Sequence, residues 1–195
     1  MFVPHGLGYP GKMDEQALLR TLTKVVNTLA DRRVEFAVAG GCAVYARGGP
    51  PSDHDVDVFV HEQDARSAQR ALAETGMRPE DPPEDWLLKV YDGDVLVDLV
   101  FRPNHRTDMT ALLGRAETMR IGPARAPVID ATDLLVDKLL VLDAHRCDFT
   151  PLLHIARDLR EQVRWDDVAG QTADSPYAQA FLQLVNALSV TEVRA

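Results

Sequence analysis

Residues 36–60 read FAVAGGCAVYARGGPPSDHDVDVFV, and the rest of the chain can be placed around them. A short apolar segment leads into Gly40 and Gly41, and Asp55 and Asp57 later alternate with valine in a second apolar segment. Because strand side chains alternate between two faces, aspartates spaced i, i+2 project from the same face. Two carboxylates a few Å apart repel each other unless a cation lies between them. The stretch therefore predicts a strand–turn–helix–strand unit that carries a divalent-cation site.

The composition is that of a soluble globular protein. The chain has 195 residues, of which 46% are hydrophobic and 26% charged, which suits one domain or a domain with a helical appendage. No apolar run approaches the roughly 20 residues that cross a bilayer, and the first residues lack a charged-then-apolar signal pattern. We therefore expect a cytoplasmic protein without a membrane partner. Cys42 and Cys147 are too few for a disulfide framework and are expected to be reduced.

The net charge of −9 is concentrated in one part of the chain. Residues 51–101 contain 13 acidic and 4 basic side chains, and this segment includes Asp55 and Asp57. The acidity disfavours a protein that coats nucleic acid generally, because phosphate recognition needs a positive surface. Nine arginines between residues 102 and 164 could still form a local basic surface.

The apolar periodicities divide the chain into an alternating N-terminal part and a helical C-terminal part. The predicted helices are residues 13–33, 42–47, 62–75, 107–119, 134–142, 149–160 and 177–188. The predicted strands are residues 34–39, 55–61, 86–91, 95–101 and 128–129. Residues 79–85 are predicted to be a polar loop and Asp92-Gly93 a hairpin turn, and Asp130 or Thr132 can cap the helix that follows. We predict an α+β fold, with a core at residues 13–130 and a helical part at residues 131–195 packed on it.

Asp98 is a third carboxylate, and it lies in an otherwise apolar strand. It shares a predicted face with Leu96 and Val100, where an isolated charge is costly to bury unless it is paired with a cation. An aspartate in a strand can also belong to a solvated face, and the Asp-x-Asp pair allows the same interpretation. The combination of the glycine turn, the pair and Asp98 favours a metal site.

In this order, Gly40-Gly41, Asp55-Val56-Asp57 and Asp98 resemble the nucleotidyltransferase superfamily that has the DNA polymerase β fold. The resemblance covers residues 34–101 and implies a mixed sheet with flanking helices. It implies that the three aspartates bind Mg²⁺ or Mn²⁺, that an NTP is the substrate, and that an NMP passes to a hydroxyl while pyrophosphate leaves. It further implies that Asp98 helps to take the hydroxyl proton and that the backbone of the two glycines holds the β- and γ-phosphates.

The second half of the chain narrows the resemblance to the AbiEii and MenT toxin branch of this superfamily. The residues that carry it are DLLVDK at 133–138 and HRCDF at 145–149. By this resemblance Lys138 contacts the nucleotide phosphates, and Asp148 orients the lysine or binds substrate. The alternatives are a solvated lysine on a helix and an aspartate that caps the next helix.

Two more residues are candidates for nucleotide binding. The toxin branch usually has Ser or Thr two positions before the first metal carboxylate, whereas this chain has Asp53 there and Ser52 one residue earlier. We predict that Ser52 supplies the hydroxyl. Arg47 follows the glycine turn closely enough to bind phosphate, and it could equally be a surface residue.

These observations leave more than one function open. The first is a toxin-like enzyme that adds an NMP to RNA, such as a tRNA 3′ end, with an antitoxin protein as a partner. The second is an enzyme that modifies a small hydroxylated molecule, as antibiotic nucleotidyltransferases do. The third is a non-catalytic nucleotide-binding protein, which three mutually repelling carboxylates argue against.

Overall fold

The computed structural model describes residues 15–52, 55–105 and 108–191, whose strands form one mixed seven-stranded sheet. The strands are β1 (Phe36–Val38), β2 (Asp55–Val60), β3 (Arg78–Glu80), β4 (Leu87–Asp92), β5 (Val95–Val100), β6 (Glu117–Ile121) and β7 (Ala124–Val128). The helices are α1 (Glu15–Asp31), α2 (Gly40–Ala46), α3 (Glu62–Glu74), α4 (Met109–Gly114), α5 (Ala131–Leu140), α6 (Thr150–Asp158), α7 (Trp165–Gln171) and α8 (Pro176–Ala187). The predicted α+β class is confirmed.

The strand order is β3-β4-β5-β2-β1-β7-β6. Strand β2 lies in the middle and pairs antiparallel with β1 and parallel with β5. Strand β1 also pairs parallel with β7, and the outer pairs are antiparallel hairpins. The residues of the quoted stretch are therefore at the centre of the sheet, where neighbouring strands hold them on both sides.

One apolar core extends from the first helix to the last. The predicted valine face of β2 is fully buried at Val56, Val58 and Val60. Leu22 of α1 and Phe181 of α8 belong to the same cluster of buried residues, because amphipathic helices cover the sheet with their apolar faces. The proposed boundary at residue 130 stays a prediction. Within the described part of the chain, no helix is both long enough and apolar enough to cross a membrane.

Several predicted elements differ from the structure. The predicted loop at residues 79–85 begins with the edge strand β3, whose three residues are all exposed and therefore give no apolar alternation. Pro79 is tolerated there because an edge strand has one unpaired side. The predicted helix at 107–119 was wrong in its second half, because α4 ends at Gly114 and β6 follows. Its start at Thr107 lies outside the described residues, and α7 was not predicted.

The hairpin of β4 and β5 is confirmed, but its turn is one residue further along. Asp92 pairs with Val95, so the two turn residues are Gly93 and Asp94. The Asp92 carboxylate accepts hydrogen bonds from Thr21 Oγ1 (2.9 Å) and Lys24 Nζ (2.7 Å), which tie the hairpin to α1. Asp92 is thus a structural anchor rather than a turn residue.

Two smaller predictions, the cap of α5 and the state of the two cysteines, can be compared with the structure. Asp130 rather than Thr132 caps α5, since its Oδ1 accepts a hydrogen bond from the backbone N–H of Thr132 at 2.9 Å. Cys42 and Cys147 are free thiols, the first buried and the second exposed. The cap defines where α5 begins, and with it the position of Lys138 in the last turn of that helix.

Candidate active site

The register between β2 and β5 brings the three aspartates together. Asp57 lies directly beside Asp98 in the parallel pair, and Asp55 lies beside Leu96. One carboxylate oxygen from each of Asp55, Asp57 and Asp98 lies within 4.8 Å of the other two. Two strands thus bring three hard oxygen donors onto one face, a donor set that suits Mg²⁺ or Mn²⁺.

The three carboxylates strongly affect one another's ionisation. Burial raises the pKa of Asp57 to about 7, and the charges of Asp55 and Asp98 add to the increase. The positive charges of Lys138 and Lys89 act in the opposite direction. Burial also raises the pKa of Asp98, although a hydrogen bond from Lys89 opposes it. The positive charge of the two lysines is therefore too small to hold the pKa values of Asp57 and Asp98 at their ordinary value.

A pocket of about 540 Å³ borders Asp57, whereas Asp55 and Asp98 are not among its lining residues. Gly40, Asp57 and Phe59 belong to its lining near the sheet. The other lining residues are Trp86, Val100, Arg102, Pro103, Asn104, Ile129, Leu134, Asp137, Lys138, Val141 and Arg146. The pocket combines apolar side chains with charged groups of both signs, and it is large enough for a small organic ligand.

The two glycines of the quoted stretch allow close packing in the site. Gly40 has φ +55°, and a Cβ there would lie 1.7 Å from Asp57 Oδ2. A Cβ at Gly41 would lie 2.4 Å from Ser52 Oγ. Only glycine permits these approaches, so Gly40 is required for the position of the Asp57 carboxylate. Ser52 lines a separate small hollow beside Cys42 and Tyr45 rather than the main pocket.

Lys138 and Asp148 have different surroundings. Lys138 lines the main pocket, where its charge lowers the pKa of Asp57. Asp148 is exposed and is not among the lining residues of that pocket. Its Oδ1 accepts a hydrogen bond from the backbone N–H of Thr150 at 2.9 Å, at the first residue of α6. The structure thus brings Lys138 to the pocket, while Asp148 bonds the first N–H of α6 from the position before the N-cap residue Phe149.

Arg47 does not reach the pocket. Its side chain is buried, and Nε donates to the carbonyl of Ile129 at 2.6 Å. Its Nη1 donates to Glu117 at 3.1 Å and to Gln162 at 3.2 Å. These contacts join Arg47 to the end of β7 and to Gln162, and Arg47 is not among the residues that line the main pocket, so its role in nucleotide binding stays a prediction.

Most residues that line the pocket were not assigned to the site from the sequence, and two of them are large apolar side chains. Trp86 lines the pocket with 38% of its surface exposed. Val141 lines the same pocket with 42% exposed. Large apolar side chains that stay exposed in a concave site are typical of ligand contacts. No local sequence signal distinguishes them from core residues.

Two glycines at the start of α2, an Asp-x-Asp strand and a third aspartate on the neighbouring parallel strand are thus combined in one mixed sheet. The chain belongs to the family described as "Uncharacterised nucleotidyltransferase", whose model matches residues 12–191. It is therefore a nucleotidyltransferase. No curated protein is a significant sequence match to the chain.

Solved structures share the fold at low sequence identity. An antigenic nucleotidyltransferase-like protein from Paracoccidioides brasiliensis is 18% identical with a TM-score of 0.57, and the match covers 88% of each chain. ANT(2")-Ia in complex with adenylyl-2"-tobramycin is 14% identical with a TM-score of 0.54, over 88% of this chain and 98% of that one. The lincosamide antibiotic adenylyltransferase LnuA is 14% identical with a TM-score of 0.53, over 78% of this chain and 100% of that one.

The raised pKa of Asp57 predicts how stability changes with pH when no divalent metal is present. The folded-state value of about 7 lies above the ordinary value of 3.8, so the native state binds the proton more tightly. The stability from this group is complete below about pH 4 and is lost as the pH rises through 7. We expect Asp57→Asn to be more stable than wild type at pH 8 by about 1–3 kcal/mol, and the difference to shrink at pH 5.

Urea unfolding in EDTA at the two pH values measures this difference. Asp92→Asn is the control, because the stability that Asp92 contributes changes with pH in the opposite direction. Burial alone would raise the pKa of Asp92, but the hydrogen bonds from Lys24 and Thr21 lower it, so this carboxylate stabilises the fold above pH 4. A difference between wild type and Asp57→Asn that does not change with pH would contradict the expectation.

Proposed function

We propose that the chain transfers an NMP from an NTP to a hydroxyl group with Mg²⁺ or Mn²⁺ bound by Asp55, Asp57 and Asp98. The observation that supports this most directly is the approach of the three carboxylate oxygens to within 4.8 Å. Their mutual repulsion, which contributes to the raised pKa of Asp57, is the kind that bound cations relieve. The donors are all oxygen, as these ions prefer, so the residues fit the metal.

The chemistry assigns a role to each group in the pocket. A bound divalent ion would offset the triphosphate charge and make the attacking hydroxyl more acidic. Asp98 accepts the proton of that hydroxyl, whose oxygen forms a bond to the α-phosphorus. The bond from the α-phosphorus to the bridging oxygen breaks, and pyrophosphate leaves with the electron pair. Lys138 binds the phosphates, as expected of an ammonium that lines the pocket.

The acceptor that we favour is the end of an RNA, such as a tRNA 3′ end. Apart from Asp57, the pocket lining contains the cations Arg102, Lys138 and Arg146 against the single anion Asp137. An anionic acceptor suits this balance better than a polycationic drug does. The exposed ring of Trp86 offers a surface on which a base can stack. By the resemblance to the AbiEii and MenT branch, the enzyme would be toxin-like and have an antitoxin as its partner.

A second candidate acceptor is a small hydroxylated antibiotic. The fold likeness to ANT(2")-Ia and LnuA supports it, since the match covers 98% and 100% of those chains. Both are described with antibiotics, one with adenylyl-2"-tobramycin and the other with lincomycin. A weakly charged drug with an apolar part would suit Trp86 and Val141 better than an aminoglycoside would.

The acceptor can be identified by following the label. The protein is incubated with each α-labelled NTP and Mg²⁺ or Mn²⁺, first with total tRNA and then with a panel of aminoglycosides and lincosamides. We expect label on tRNA and none with Asp57→Ala. Label on a drug alone would replace the RNA proposal with the second candidate. No pyrophosphate release with any NTP and any acceptor would contradict both.

Lys138 gives a further prediction. Lys138→Met is expected to lower kcat/KM for the NTP by about 10- to 100-fold, because a charged hydrogen bond to phosphate contributes about 1.5–3 kcal/mol. Lys138→Arg keeps the charge and should recover part of the loss. Steady-state kinetics with varied NTP measures the effect, and an unchanged kcat/KM in Lys138→Met would remove this residue from the site.

A further inference from the structure

Lys89 is bonded to the third carboxylate of the site. Its Nζ donates to Asp98 Oδ1 at 2.9 Å, and the two side chains are only 20% and 13% exposed. The residues are direct partners in the antiparallel pairing of β4 and β5, and Asp98 is in turn the direct partner of Asp57 in β2. Lys89, Asp98 and Asp57 thus form a row across three adjacent strands.

Lys89 and Lys138 have different surroundings. Lys138 lines the described pocket, whereas Lys89, like Asp98 itself, is not among its lining residues. Each oxygen of a carboxylate can accept a hydrogen bond or bind a metal ion, so the bond from Lys89 to Oδ1 leaves Oδ2 available. Lys89 can therefore hold Asp98 through one oxygen while the other oxygen serves the reaction.

The charge of Lys89 also acts on two of the three carboxylates. It lowers the pKa values of both Asp57 and Asp98, against the effects of burial and of mutual repulsion. Among the described residues, Lys138 and Lys89 are the positive charges that lower the pKa of Asp57. When an ion binds, the same ammonium repels it.

We propose that Lys89 is a positioning residue that anchors Asp98 and carries part of the site's positive charge before the divalent ion binds. This inference rests on the proposed function, because it assigns Asp98 to the metal site. It predicts that replacing Lys89 raises the affinity for the ion and lowers the turnover rate. Removal of the ammonium makes the site more negative and tightens ion binding, whereas loss of the anchor lets the Asp98 carboxylate rotate and slows turnover. An ion pair that only stabilises the fold would produce neither effect.

The test compares Lys89→Met with Lys24→Met. The control pair, Lys24 and Asp92, joins the same hairpin to α1 with an Nζ–Oδ1 distance of 2.7 Å and comparable exposures of 34% and 25%. Mn²⁺ affinity is measured without nucleotide by calorimetry or by electron paramagnetic resonance. Kinetics of pyrophosphate release are measured separately on the same proteins, and circular dichroism checks the fold.

We expect Lys89→Met to bind Mn²⁺ about tenfold more tightly, because a unit charge several Å from the ion is removed. Its kcat should fall about tenfold or more while KM for the NTP changes by less than about twofold. Lys89→Arg should behave like wild type, and Lys24→Met should lose stability without either change. Lys89→Gln keeps a hydrogen-bond donor without the charge, so it should also bind Mn²⁺ more tightly and provides a second variant if Lys89→Met folds poorly.

The outcomes separate this inference from the proposed function. If wild type binds Mn²⁺ and neither Lys89→Met nor Lys89→Gln binds it more tightly, the role of Lys89 is overturned and the metal site stands. If wild type does not bind Mn²⁺, or binds it no better than Asp57→Asn does, the metal site is overturned and the role of Lys89 with it.

Discussion

Asp57→Asn is expected to lower the rate of nucleotidyl transfer by about a thousandfold or more. Asp57 is the direct strand partner of Asp98, lies two residues from Asp55 and packs against Gly40, so its replacement removes one of the three donors of the proposed metal site. Metal stabilisation of the developing charge contributes several kcal/mol, and each 1.36 kcal/mol is about a factor of ten in rate. Pyrophosphate release with the preferred NTP and saturating Mn²⁺ measures the loss.

The control for this variant is Asp94→Asn. Asp94 is exposed in the turn between β4 and β5 and is not one of the site carboxylates. Its substitution removes one negative charge, as Asp57→Asn does, and should leave the rate unchanged. Since Asp57→Asn is also expected to gain stability without metal at pH 8, unfolding would not explain a loss of activity. Retention of more than about a tenth of the wild-type rate would remove Asp57 from the catalytic centre.

The centre of the site could be predicted because its pattern is local. Alternation along β2 assigns Asp55 and Asp57 to one face and the valines to the core, and the burial of Val56, Val58 and Val60 agrees with this. The glycine turn and the apolar surroundings of Asp98 are also visible within a few residues. Such features depend on backbone geometry, and distant contacts do not alter them.

The contacts of Lys89 depended on a register that the sequence did not define. With Asp92 and Gly93 as the turn, Lys89 would face residue 96 across the hairpin. With Gly93 and Asp94 as the turn, it faces Asp98. A shift of one residue in the turn moves the pairing by two residues, so Lys89 stays on the same face of the sheet but has Asp98 rather than Leu96 as its direct partner.

Arg47 shows a second limit of sequence reasoning. Its main hydrogen bond is to the carbonyl of Ile129, 82 residues away, and another partner is Gln162. An arginine beside a glycine turn near a predicted phosphate site has the same local sequence whether it binds ligand or joins two parts of the fold. The difference lies in long-range packing, which also buries the side chain.

Gly40→Ala is expected to destabilise the protein by about 3 kcal/mol and to lower activity by about a hundredfold or more. The φ of +55° strains any residue with a Cβ, and that Cβ would lie 1.7 Å from Asp57 Oδ2 and 2.5 Å from Asp57 Cγ. Either α2 moves away from β2 or the Asp57 carboxylate turns out of the row that it forms with Asp98. Urea unfolding and pyrophosphate release measure the two effects.

Gly93→Ala separates strain from the steric clash. Gly93 has φ +63°, close to that of Gly40, but nothing lies within 4 Å of its Cβ position. It should therefore show only the backbone cost of about 1–2 kcal/mol and keep wild-type activity. In an Asp57→Ala background, which removes the two closest atoms and leaves the residue-57 Cβ at 2.9 Å, Gly40→Ala should cost less than in wild type but still more than Gly93→Ala. Equal costs of the two glycine substitutions in the wild-type background would mean that Gly40 is required for its backbone conformation alone and not for the placement of Asp57.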